Sequence, residues 1–107
     1  MKKKADAGQD PYYLIEPCAS ANGFEIKLRE GRIDLKKAEA AISVIGQIGA
    51  SMPVVLIARL DDLSLSIYAS GRIMMKRPGA RITNSEAESA ARRLMDALRN
   101  GNALVAQ

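Results

Sequence analysis

The sequence predicts an α+β domain, an antiparallel sheet with two helices packed on one face, in the order β-α-β-β-β-α. Three observations predict it. Leu63, Leu65, Ile67 and Ala69 alternate with Ser64, Ser66, Tyr68 and Ser70, the two-residue period of a half-buried strand. Apolar residues recur at helical spacing in two other segments, each opened by a residue suited to capping. Between 54 and 76 the strand-like segments are separated only by the short turns Asp61-Asp62 and Ser70-Gly71, which suit hairpins.

The elements follow in order. Met1 to Pro11, with Lys2, Lys3 and Lys4, reads as a disordered tail, and Tyr12 to Cys18 as a short extended segment limited by Pro17. Ser20 to Gly23 is turn-like. Phe24, Ile26 and Leu28 alternate with Glu25, Lys27 and Arg29, so 24–29 is a strand with one buried face, broken by Gly31. Asp34 then offers a carboxylate to the free amides of a first helical turn, with Ile33 and Ala38 at staple positions. Leu35, Ala38, Ile42, Ile45 and Ile48 or Gly49 form the stripe of that helix, whose end Gly46 and Gly49 weaken.

Pro53 opens the next strand, Val54 to Leu60. Its β-branched run implies burial on both faces or a sticky exposed face. After the alternating strand 63–70, Gly71 supplies the hairpin turn and Arg72 to Lys76 the last strand. Ser85 and Glu88 have the spacing of a capping box, opening a second helix with the stripe Ala87, Ala90, Ala91, Leu94, Ala97 and Leu98. Gly101 ends it, with Arg99 near its C-terminus. The expected division is a tail with a short extended segment over 1–22, one domain over 23–101, and a frayed tail over 102–107.

At 107 residues the chain suits one domain, and 48% apolar residues are too many for disorder. Aromatics are 4%, so the core is built from Leu, Ile, Val, Met and Ala. A net charge of +4 fits a nucleic-acid partner without demanding one. One cysteine and no histidine exclude an intrachain disulfide and an ordinary zinc site. No apolar run has the length of a membrane span, and no signal-peptide core precedes the domain, so a cytoplasmic protein without membrane contact is expected.

Enzymatic chemistry finds no constellation. Asp61 and Asp62 are adjacent turn aspartates with no second acid, base or ligand beside them. Cys18 has no histidine to activate it and reads as a small buried group. No catalytic residue, metal or cofactor is expected. The loop Lys76 to Arg81 (KRPGAR) is either a solvated turn or a phosphate contact through Arg77 and Arg81. Arg92, Arg93 and Arg99 offer a basic helix surface, paired with Glu88, Asp96 or Glu86 or facing a protein partner.

The order and several segments together resemble one repeat of the TATA-box-binding protein family, over roughly Glu25 to Leu98. Ile33-Asp34-Leu35-Lys36-Lys37 is similar to the start of that repeat's first helix. Val55 to Leu60 (VLIARL) resembles its apolar strand ending in arginine. Ile67-Tyr68-Ala69-Ser70-Gly71-Arg72-Ile73 resembles its Ile-Phe-Ser-Ser-Gly-Lys-Met, and Gly79-Ala80-Arg81 its Gly-Ala-Lys before the last helix. The family carries two such repeats fused into one saddle-shaped sheet. The resemblance therefore implies a curved half-saddle that two chains would complete as a homodimer, and a transcription-related role on DNA. Tyr68 stands where the family has one of its phenylalanine wedges; near Met52-Pro53, where another falls, there is no aromatic.

The open face of the sheet is the candidate site. Lys27, Arg29, Arg59, Arg72 and Lys76 would meet phosphates, while Val55, Ile57, Tyr68 and Met74 would lie on sugars or base edges, with Ser70 in the adjoining turn. The alternative is a protein-interaction domain of the same fold. Glu25 among the basic residues favours it.

Overall fold

A computed structural model of the chain describes residues 13–17 and 23–105. The expected N-terminal tail and the expected burial of Cys18 lie outside the described residues. The turn at Ser20 to Gly23 lies outside them too, apart from Gly23 itself.

The described elements run β1 (Tyr13–Pro17), β2 (Gly23–Leu28), β3 (Arg32–Ile33), α1 (Leu35–Ile45), β4 (Gln47–Ser51), β5 (Val55–Leu60), β6 (Leu63–Tyr68), β7 (Arg72–Lys76), α2 (Asn84–Asn100) and β8 (Leu104–Val105). Six strands form one antiparallel sheet in the order β1-β2-β7-β6-β5-β4, while β3 and β8 pair separately. The architecture is thus α+β, with a six-stranded antiparallel sheet and two helices.

One core lies between the sheet and the helices. Phe24, Ile26, Leu56, Leu60, Leu65, Ile67, Ile73 and Met75 contribute from the strands, Ala38, Ile42, Ala87, Ala91, Leu94 and Leu98 from the helices. The alternation read from the sequence is realised in β6, where Leu63, Leu65 and Ile67 are buried and Ser64, Ser66 and Tyr68 are not. Because one face carries the helices and the other does not, β2, β5, β6 and β7 each have a buried and an open set of side chains. Gly71 makes the β6–β7 turn at φ 103°, a conformation that disfavours any side chain.

The first helix is capped as expected: Asp34 accepts from the Lys36 and Lys37 amides at 3.1 Å each. It ends earlier than its apolar stripe implies. The helix was expected to reach Ile48 or Gly49, yet the chain turns extended at Gly46 and continues as strand β4. A side chain at Gly46 would run into the Arg59 carbonyl oxygen, so glycine permits the close approach that lets β4 lie beside β5. The strand keeps the stripe useful: Ile48 still packs on the core, now from a sheet position.

The second helix opens two residues earlier than the Ser85–Glu88 spacing implies. Thr83 is the cap, its hydroxyl accepting from the Glu86 amide at 3.1 Å while Glu86 accepts from the Thr83 amide at 2.9 Å. Residues 102–105 are not a frayed end. Ala103 is fully buried and accepts from the Asp34 amide at 2.7 Å, and Leu104–Val105 pair with Arg32–Ile33. The last described residues therefore tie down the entry to α1.

Candidate functional site

Register fixes which side chains share the open face. Along one row, Leu14 of β1 stands opposite Lys27, Lys27 opposite Arg72, and Tyr68 opposite Val55. In the next row Glu16 faces Glu25, Glu25 faces Met74, Met74 faces Ser66, Ser66 faces Ile57, and Ile57 faces Ala50. In the third, Lys76 faces Ser64, Ser64 faces Arg59, and Arg59 faces Gln47. Rows are about 7 Å apart along the strands, and neighbouring strands about 5 Å apart.

The sheet therefore brings together Lys27, Val55, Ile57, Arg59, Tyr68, Arg72, Met74 and Lys76. The four cations are exposed; Val55, Ile57, Tyr68 and Met74 are half-buried. Ser70 sits exposed in the β6–β7 turn, at the end of this face. Arg29 lies beyond the last paired residue of β2 and belongs to no row.

Electrostatics divide the face. In the row of Lys27 and Arg72 the cations are paired. Arg72 donates through Nε to Glu25 and its guanidinium lies 5.8 Å from the centre of the Tyr68 ring. Lys27 stands 3.4 Å from Glu16. In the row of Lys76, Ser64 and Arg59, Arg59 and Lys76 have no ion-pair partner among the described residues. Their Cα atoms are two strands apart, about 10 Å, with only Ser64 between them. The available positive charge is thus concentrated at one end of the face, beside Ile57 and Met74, which flank Ser66 in the adjoining row.

Two features were out of reach of the sequence. Glu16 joins the face because β1 pairs with β2, and no local signal announces that pairing. Gln47 and Ala50 join it because β4 is a strand; Gly46, Gly49 and Pro53 were the signals that could have marked it.

The KRPGAR loop is committed elsewhere. Arg77 donates through Nε to Asp62 at 2.8 Å, doubly to Glu86 at 3.0 and 2.8 Å, and to the Arg81 carbonyl at 2.9 Å. It therefore ties the β5–β6 turn and the loop to the start of α2, which withdraws it from the phosphate role considered for it. Arg81 is exposed. On α2, Arg93 pairs with Asp61 at 2.8 Å and Arg99 with Asp96 at 3.7 Å. Asp61 and Asp62 thus serve as partners for arginines at a turn.

The same network has a pH signature. The Arg77 hydrogen bonds, then the Thr83 amide, hold the Glu86 carboxyl down from 4.5 to about 2. A carboxyl depressed in the folded state stabilises it fully above the unfolded value, and the contribution is lost as pH falls through the folded value. The stability gap between the parent and Glu86→Gln is therefore expected to be widest above pH 4.5 and to close toward pH 2. Urea melts of the two proteins across that range check this. A gap that stays constant would remove the ion pair as its source.

The helix side of the molecule offers a groove between the helices, lined by Ala40, Ala41, Val44 and Ala97 with Lys37 and Asn100. Among the described residues no helix is long and apolar enough to cross a membrane. No protein-family model, curated protein or solved structure matches the chain.

Proposed function

We propose that the chain is a nucleic-acid-binding module of the DNA minor-groove type, acting through the open face of its sheet. The observation that carries this reading is the adjacency of unpaired cations to half-buried apolar side chains: Arg59 beside Ile57 and Lys76 beside Met74. Cations supply the sequence-independent attraction to phosphates, and half-buried apolar side chains can lie against sugars and base edges. Tyr68 is the one aromatic on the described part of this face and would be its wedge or stacking group. The resemblance of Ile67 to Ile73 and its flanking segments to a TATA-box-binding repeat supports the same reading. So does the succession β2, α1, β5, β6, β7, α2. In this proposal the sheet is half of a curved, two-chain surface, and the role is transcription-related.

A second reading has its own support. Glu25 and Glu16 neutralise Arg72 and Lys27, leaving a face of mixed charge suited to a protein partner. Titration of the labelled protein's partners separates the two. Fluorescence anisotropy with an A·T-rich and a G·C-rich duplex, each at two salt concentrations, is expected to give binding that weakens steeply with salt and favours the A·T duplex. Absence of binding at low salt would transfer the face to a protein partner.

A further inference from the structure

The six-stranded sheet has two edges, and they are built differently. An edge strand presents free amides and carbonyls that can pair with another chain, and proteins commonly blunt such edges with charges or proline. The β1 edge is blunted in this way: it carries Glu16, paired with Lys27, and ends at Pro17. The β4 edge is not. Gln47–Ser51 contains no charged residue and no proline, and residues 40–58 carry no charge at all. In a chain with 26% charged residues, a stretch of that length without one is a marked exception.

The surroundings of β4 are apolar as well as uncharged. Val44, at the end of α1, is 83% exposed; Met52 and Val54, just beyond the strand, are 44% and 68% exposed. These are three of the four large hydrophobic side chains exposed among the described residues, and all lie within three residues of β4. A bulge leaves Gly49 outside the ladder with β5 and sharpens the local twist, an edge-protecting feature that adds neither charge nor bulk.

We infer that β4 is a self-pairing edge, and that two copies of the chain join there by antiparallel addition about a two-fold axis. The occupant is a second copy because of the charge pattern. Across a two-fold axis each edge meets its own sequence, so a charged residue near the axis faces its like; an uncharged edge is the pattern such an arrangement requires. The pairing satisfies the free peptide groups of β4 and gives Val44, Met52 and Val54 a partner surface. It would also set the two open faces side by side, with Arg59 of each copy one strand from the junction. The inference rests on the two-chain part of the proposed function. It is tested without nucleic acid, so its failure and a failure of DNA binding are distinguishable.

The experiment is sedimentation equilibrium of the full chain over a wide concentration range. The parent is expected at about twice the 11.5 kDa chain mass. Ala50→Lys, at an exposed β4 position, is expected to raise the dissociation constant at least tenfold, while Leu14→Lys on β1 leaves it unchanged. Hydrogen exchange of the unaltered protein gives a reading independent of any variant. Protection of the Gln47–Ser51 amides should rise with protein concentration, and that of Tyr13–Pro17 should not. A monomer at all concentrations would overturn the inference. So would a dimer that Ala50→Lys leaves intact, or one that Leu14→Lys disrupts.

Discussion

Truncating Ile67 to alanine is expected to lower the stability of the domain by about 3 kcal/mol, the usual range for a fully buried aliphatic side chain being about 2–5 kcal/mol. Ile67 has no exposed surface and stands in β6, with β5 and β7 paired on either side of it. Its partners across the ladder are Leu56 and Ile73, both also fully buried. Few aromatics are present to fill space around it, so the cavity would be lined by aliphatic chains already held in place by the ladder. Against a total of about 5–15 kcal/mol for a domain, that loss is large. It corresponds to a fall in melting temperature of about 12–24 °C at about 4–8 °C per kcal/mol. Differential scanning calorimetry checks it. A fall of only a degree or two would mean that the sheet can close over the gap, and that the core is less tightly specified than its burial implies. Ser66→Ala, one residue away on the open face, should change the melting temperature little, since Ser66 is only half-buried.

How far the molecule was legible in its sequence depends on which contacts each element needs. β6 was legible because its alternation is local and uninterrupted, and the side chains of Leu63, Leu65 and Ile67 follow it. The Asp34 cap was legible for the same reason, since its partners lie two and three residues away. β4 was not. Its residues carry a continuation of the α1 stripe, and what decides against helix is the approach of β5 to Gly46, a contact thirteen residues distant.

The cap of α2 shows a different limit. Thr83-Asn84-Ser85-Glu86 and Ser85-Glu86-Ala87-Glu88 both have the spacing of a capping box, so local pattern could not choose. The choice falls on Glu86 because Arg77 holds its carboxylate beside the Thr83 amide. In the same way Leu104–Val105 looked like loose chain because their partners, Arg32–Ile33, lie about seventy residues earlier.

The candidate site divides along the same line. Strand periodicity put Lys27, Tyr68, Arg72, Met74 and Lys76 on one face; Val55, Ile57 and Arg59, in a strand read as a β-branched run, joined them only through the candidate-site reading, and register places all eight together. The pairing of Arg72 with Glu25, forty-seven residues apart, and of Lys27 with Glu16 could be seen only with the strands aligned. Those pairs change the weight of each cation. A paired arginine must give up part of its carboxylate contact before it meets a phosphate, whereas Arg59 and Lys76 need give up nothing of the kind. Charge at Arg59 and Lys76 should therefore matter most.

The second large effect follows from that difference. Replacing both residues by glutamate turns two attractive contacts into two repulsive ones at the end of the face where positive charge is concentrated. Each phosphate contact contributes about 0.9 to the slope of log affinity against log salt on duplex DNA, so the double variant should lose about 2 from that slope. The loss of affinity at low salt should exceed tenfold. Arg77→Glu is not a suitable control because it would break the tie to Glu86 and Asp62. Arg92→Glu on the exposed side of α2 alters the net charge equally per residue without touching the open face.

The most direct test of the open face as a nucleic-acid site is therefore the salt dependence of duplex binding for the parent, Arg59→Glu/Lys76→Glu and Arg92→Glu, with folding verified by circular dichroism. A steep slope is expected for the parent, a slope lower by about 2 and much weaker binding for the double variant, and near-parental behaviour for Arg92→Glu. Equal affinity and equal slope in all three proteins, or a larger loss with Arg92→Glu than with the double variant, would contradict it.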